Sequence, residues 1–203
     1  MIDDAYVIKT SRTGKKVFIS STSDDLKDIR AEVAADLLEW SFQPVWSEAA
    51  DFPIKKGQHK HDACLDAVKE CDIYLLIIDR RYGSIYAGSK YAEKKISITW
   101  YEARIAFSEK KEIITFVRDV VMTERKIHHE NLKAGIDIKL SFVDDSKVFD
   151  VIDFVDNQVS DNWIYPFKDL VELKKILRGI LSTKKDIYML QYFDRFKKGG
   201  EYA

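Results

Sequence analysis

From Lys16 onward, short apolar runs alternate with longer segments whose apolar residues recur every three or four positions. KVFIS (16–20) is β-branched and aromatic and predicts a buried strand. After it Thr22 stands as a helix cap, with Asp25 three positions later in the place of a capping-box acid, and Leu26, Ile29, Val33, Leu37 and Trp40 form one apolar stripe. FQPVW (42–46) predicts a second, shorter strand, and Pro44 places it at a sheet edge. A polar loop leads to a helix over 59–70. DIYLLIID (72–79) then gives the most hydrophobic run in the chain, the composition of a central parallel strand covered on both faces.

RRYGSIYAGSKYAEKK (80–95) carries charges, tyrosines and two glycines but no apolar stripe, and predicts an unusually long loop. A helix is expected from Ser97, with Trp100, Ala103, Ile105, Ala106 and Phe107 packing, followed by a strand at EIITFV (112–117). No element is assigned over 118–140. Val148, Val151, Ile152, Val155 and Val159 fit a helix, NWIYPF (162–167) a last strand and 169–181 a last long helix. Trp40, Phe107, Phe116 and Trp163 fall at core spacings. Residues 1–14 read as a flexible arm, 15–182 as one domain and 183–203 as an extra C-terminal helical tail.

Alternating strands and helices imply a three-layer α/β domain with right-handed crossovers. Five strands suit a flavodoxin-like parallel sheet in the order 2-1-3-4-5, whose ligands bind beyond the carboxyl ends of the strands where the order reverses. That rule selects the segments after the first, third and fourth strands.

Composition narrows the chemistry. Eight glycines in 203 residues fall below the roughly 7% of average proteins, and neither a P-loop nor a Gly-x-Gly-x-x-Gly fingerprint occurs. With 33 basic and 34 acidic side chains the formal charge is -1, so no global field favours nucleic acid or a membrane surface. The polar N-terminal sequence and the lack of a long apolar run predict a cytoplasmic protein, and two cysteines, Cys64 and Cys71, predict free thiols. His59 and His61 with these cysteines superficially resemble a zinc set, but Cys64 on a helix core face and Cys71 opening the central strand point to packing, and no metal or cofactor is expected. His128 and His129 have no partner pattern, and no nucleophile elbow occurs.

Three constellations remain. Ser20, Ser21 and Thr22 at a strand-to-helix turn suit a phosphate or a ribose hydroxyl, or capping alone. Arg81, Tyr82, Gly83 and Ser84, in the loop after the central strand, bring a guanidinium, a ring and a residue that tolerates close approach; the alternative is a solvated loop tip. Ser97, Thr99 and Glu102 open the following helix, where a carboxylate either complements the helix dipole or faces the crevice and stabilises an oxocarbenium-like centre. Trp46 and Glu48, ending the second strand, face the same crevice, with Trp46 suited to stacking or to packing.

Residues 16–117 resemble the TIR-like domains of unknown function that precede NACHT-type NTPase modules. The resemblance lies in VFISSTSDDLKDIR (17–30), WSEAADFP (46–53), CLDAVKECDIYLLIIDRRYGSI (64–85) and the S-x-T-x-x-E-x-x-x-A pattern of Ser97, Thr99, Glu102 and Ala106. It implies the five-stranded TIR-like fold. It also implies cleavage of the nicotinamide–ribose bond of NAD, taken as substrate, by Glu102 in bacterial defence or toxin-like signalling. Self-association or a sensor NTPase partner would act as the switch. Enzymatic TIR domains carry a tryptophan four residues before the glutamate, whereas Trp100 stands two before Glu102. The alternatives are a non-catalytic nucleotide-sensing or adaptor module and a nucleoside deoxyribosyltransferase-like enzyme.

Overall fold

The structure is a computed structural model that describes residues 14–91 and 95–182. The arm and the tail expected from the sequence lie outside the described residues, Gly14 excepted. Eleven elements follow one another: β1 (Lys16–Ser20), α1 (Ser23–Glu39), β2 (Gln43–Val45), α2 (Lys60–Glu70), β3 (Ile73–Ile78), α3 (Ile98–Ser108), β4 (Glu112–Arg118), α4 (Asp119–Lys133), α5 (Lys147–Asp156), β5 (Ile164–Phe167) and α6 (Leu170–Leu181).

All five strands are parallel, in the order β2-β1-β3-β4-β5, which is the flavodoxin-like arrangement. Strand alternation sorts the side chains to two faces. Val17, Ile19, Ile73, Leu75 and Ile77 join the apolar sides of α1 and α6, while Phe18, Tyr74, Leu76 and Ile78 join those of α2, α3 and α5. Both edge strands carry a proline, Pro44 in β2 and Pro166 in β5, which deprives each edge of one backbone donor and discourages pairing with another chain. Lys174 of α6 reaches Glu32 at 3.2 Å and Asp36 at 2.9 Å, joining the two helices of one face.

Several expectations need correction. The segment left unassigned contains the 15-residue helix α4, which shows no apolar stripe because only Val121 and Glu124 are buried on it. Its anchors are polar: the Glu124 carboxylate accepts from the backbone amides of Ser141, Phe142 and Val143, and Arg125 pairs with Asp153 and Asp156 of α5. Val159 lies beyond the end of α5, fully exposed, and Trp163 is 70% exposed rather than in the core. Thr22 is the N-cap of α1 by position, but its hydroxyl donates to the Asp25 carboxylate and accepts no amide of the first helical turn.

The long connection after β3 is a loop held down at specific points. Ile85 bridges to Ser97. Asp62 of α2, almost wholly buried, accepts from the Tyr86 hydroxyl, from Ser89 through both amide and hydroxyl at 2.9 Å, and weakly from the Lys90 amide. Burial alone would raise the Asp62 carboxyl, but these hydrogen bonds outweigh it and hold it down at about 2. At the start of the loop Gly83 adopts φ +84°, and a Cβ there would stand 2.8 Å from the Thr22 Cγ2. The loops after β1 and β3 therefore meet closely only because position 83 has no side chain.

Gly57 supplies a control, since it also has positive φ (+77°) but nothing within 4 Å of a Cβ. Gly57→Ala should cost about 1–2 kcal/mol for the left-handed backbone alone, and Gly83→Ala that much plus the contact with Thr22. Thermal unfolding of both variants checks this, and equal losses would contradict the close approach.

Candidate functional site

The carboxyl ends of β1 and β3 open into a cavity of about 500 Å³, within the size range of small-molecule sites. Its walls come from five places: Ser21 to Asp24 at the start of α1, Ser47 to Ile54 after β2, Gly83 and Ser84 after β3, the start of α2 and the start of α3. Glu102 is at its base. It lies on the second turn of α3, a helix whose N-cap is Ser97, and only 5% of its surface is exposed.

The Glu102 carboxylate is held by neighbours from three elements. Ser20, the last residue of β1, donates its hydroxyl to Oε2 at 2.5 Å, and the Ser20 Oγ in turn accepts from the Tyr74 hydroxyl at 2.8 Å. The Cys64 thiol of α2 is a further hydrogen-bond partner, and Arg30 of α1 contributes positive charge. Burial nevertheless dominates and pushes the Glu102 carboxyl from its usual 4.5 to about 7, against the pull of Ser20, Arg30 and Cys64 and with a smaller push from Glu48. The Cys64 thiol is itself driven upward, first by burial and then by Glu102, and remains protonated.

Arg30 is the charged centre of the opposite wall. Only 3% exposed, it donates to the Ser21 carbonyl at 2.9 Å and hydroxyl at 3.3 Å, to the Ser47 hydroxyl at 3.2 Å, and pairs with Glu48 at 2.8 Å. Its hydrogen bonds bind the loops after β1 and β2 into one wall. Arg81, at the rim, faces Asp24 at 3.3 Å and Asp144 at 3.7 Å. His61 accepts the Ala87 amide on Nδ1 at 3.0 Å, so its neutral ring carries the proton on Nε2, and burial lowers its pKa.

Of the residues singled out from the sequence, Glu102, Ser21, Thr22, Glu48, Arg81, Gly83, Ser84 and Thr99 surround the cavity. Four do not line it. Ser20 lies behind Glu102. Trp46 packs against the apolar cluster on the α1 and α6 face. Tyr82 is buried, its hydroxyl accepting the Ser97 amide at 3.1 Å and its ring edge-on to Trp100. Ser97 is fully buried and accepts the Trp100 amide at 3.3 Å as a helix cap. Tyr82 and Ser97 thus fix the start of α3.

The sequence does not single out Arg30, Ser47, Phe52, Ile54, Lys60 and Tyr74, and it offers His61 and Cys64 only as part of a superficial zinc set, with Cys64 assigned to packing. Arg30 did leave a signal: 26, 30, 33 and 37 are one face of a helix, so its charge falls on the apolar stripe itself. Both cysteines are free thiols, and among the described residues no cluster of three His, Cys, Asp or Glu is arranged to hold a metal. Among those residues no helix is long and apolar enough to cross a membrane.

The raised Glu102 carboxyl makes folding stability depend on pH. Below about pH 4.5 it is protonated both folded and unfolded and has no effect; from 4.5 to 7 the unfolded chain releases a proton that the folded chain keeps, and stability falls as pH rises. The loss is complete above 7 and amounts to roughly 3 kcal/mol. Glu102→Gln should therefore gain stability relative to the parent as pH goes from 5 to 8. Urea unfolding at the two pH values measures it, and a pH-independent difference would refute the shift.

A family model described as "Domain of unknown function (DUF4062)" matches residues 16–182, and no curated protein matches the sequence. Among solved structures, the Clostridium botulinum CMP N-glycosidase BcmB is similar over 82% of this chain and 100% of that chain, with 14% identity and a TM-score of 0.43. With the family match spanning most of its length, the chain belongs to the DUF4062 family of domains of unknown function.

Proposed function

We infer that the cavity binds a nucleotide and that Glu102 cleaves its N-glycosidic bond, with NAD the substrate the chemistry suits best. The observation that carries this reading is a carboxyl poised near neutrality at the base of a cavity rimmed by hydroxyls and cations. Catalytic carboxyls need a pKa near the working pH, and structural carboxylates at helix starts do not need burial to this degree.

The nicotinamide of NAD is a cationic leaving group. As the C1′–N bond breaks, its electron pair passes to the ring nitrogen and neutral nicotinamide departs without a proton. The only charge left to stabilise is the oxocarbenium centre on the ribose, and one ionised carboxylate meets that need. Water then adds to C1′ and passes a proton to the ionised Glu102 carboxylate, which releases it to solvent, leaving ADP-ribose. Ser21, Thr22, Ser84 and Thr99 offer hydroxyls to the ribose and phosphates, with Arg81 at the rim for phosphate charge. Glu48, fixed by Arg30, offers an acceptor for a ribose hydroxyl or an amide. A neutral nucleoside would instead need an acid to protonate its base, and His61, whose pKa burial lowers, is a weak source of that proton at neutral pH.

The test is nicotinamide release by the purified protein, at low concentration and with a crowding agent that promotes self-association. Release should rise about tenfold from pH 6 to pH 8, following ionisation of a group near 7. Glu102→Gln should lower it by roughly 100-fold or more. Equal release by the variant removes Glu102 as the catalytic carboxylate. A rise in melting temperature with NAD but no release favours the sensing or adaptor reading.

A further inference from the structure

Tyr74 is the one polar side chain in the otherwise aliphatic strand β3, and it is 0% exposed. Its ring lies parallel to that of Phe18, 6.2 Å away, a packing role that phenylalanine fills equally well. The hydroxyl therefore calls for a separate explanation. It reaches Ser20, not the residue opposite it in the ladder: Ser20 pairs with Leu76, and Tyr74 lies two positions earlier on the same face, where a long side chain spans the diagonal. Beyond Ser20 stands the Glu102 carboxylate.

Each hydroxyl has one proton, so this chain has two directions. With Glu102 ionised, Tyr74 donates to Ser20 and Ser20 donates to Oε2. With Oε2 protonated, the acid donates to Ser20 and Ser20 to Tyr74. Both states keep the two bonds along the chain, but only the first gives the Tyr74 proton an acceptor, and in it each donor polarises the next. Burial, and then the nearby Glu102, hold the Tyr74 phenol well above its usual pKa, so it stays protonated and the chain reorients protons without exporting one.

We propose that Tyr74, acting through Ser20, is a positioning residue for Glu102, orienting its carboxylate and strengthening the hydrogen bond to the ionised form. The kinetic part of this proposal rests on reading Glu102 as the catalytic carboxylate; the electrostatic part does not. The other groups acting on Glu102 are Arg30 from α1, Glu48 from the loop after β2 and Cys64 from α2, with His61 of α2 on the same cavity. None of them is a hydrogen-bond partner of the Tyr74 hydroxyl, which bonds Ser20.

Tyr74→Phe keeps the ring and its stack while removing the donor. Two midpoints of Glu102 are read on the full chain: that of the ascending limb of the pH dependence of nicotinamide release, and the folded-state midpoint fitted from the pH, near 7 in the parent, at which the fall in thermal stability levels off, a fall absent in the Glu102→Gln background. Weakening a hydrogen bond to a carboxylate raises its pKa, so Tyr74→Phe should move both midpoints up by roughly half a unit or more. kcat should fall on the acid side with KM unchanged. Ser20→Ala should shift at least as far, and adding Tyr74→Phe to it should change nothing further. Unmoved midpoints in Tyr74→Phe, or a full additional shift on Ser20→Ala, would overturn the proposal; if Ser20→Ala does not fold, Tyr74→Phe decides alone. A moved stability midpoint in a protein that releases no nicotinamide leaves the relay standing and removes the NAD reading.

Discussion

Burial of one carboxylate at the open end of a parallel sheet is the constraint on which the rest of the site depends. A glutamate with this little exposure needs donors on its oxygens, and the fold delivers them from separate elements: a hydroxyl from β1, a thiol from α2 and positive charge from α1. The direct donors are a neutral hydroxyl and a neutral thiol, and desolvation prevails over them, so Glu102 titrates near neutrality instead of being locked in the ionised state. An arginine in direct contact would have held it ionised. Arg30 is close enough to contribute, yet its own hydrogen bonds go to Ser21, Ser47 and Glu48.

The walls are built so that this centre stays shaped. Arg30 stitches the loops after β1 and β2 together, Gly83 lets the loop after β3 press against Thr22, and Asp62 fastens the middle of that loop to α2. Tyr82 and Ser97 set the beginning of α3 and hence the position of Glu102 one turn later. The polar contacts thus belong largely to the machinery that holds a cavity open, and the exposed cations Arg81 and Lys60 stand at its margin. Side chains with buried partners determine the geometry, while at the margin Arg81 is held by the exposed carboxylates Asp24 and Asp144, which a phosphate would have to displace.

The architecture was readable because apolar runs and helical stripes carry most of it. Five strands, the edge position of the Pro44 strand and the long loop after β3 follow from period and composition, and the strand order is that of the flavodoxin-like sheet which five alternating strands suit. Helix α4 was not readable, since a helix anchored by Glu124 and Arg125 leaves no apolar period. Trp163 and Val159 misled for the opposite reason: large apolar side chains suggest burial, but both flank the edge strand β5 in solvent. Within the site, Glu102 and the hydroxyl-rich turn were found from their places at element junctions. The true neighbours Arg30, Cys64 and Tyr74 depend on how α1, α2 and β3 meet, which is tertiary information. Tyr82, a binding candidate in sequence, and Trp46, suited there to stacking or to packing, are both placed in packing positions off the cavity wall.

The central claim is that Glu102 is a buried carboxyl that changes charge close to neutral pH. Protein labelled with ¹³C at the glutamate side-chain carboxyl, with the Glu102 signal assigned by its disappearance in Glu102→Gln, allows that one group to be titrated directly by NMR. The account predicts a midpoint near 7, separated from the other glutamates. A midpoint at the ordinary value of about 4.5 would show that the carboxylate is solvated and would contradict it.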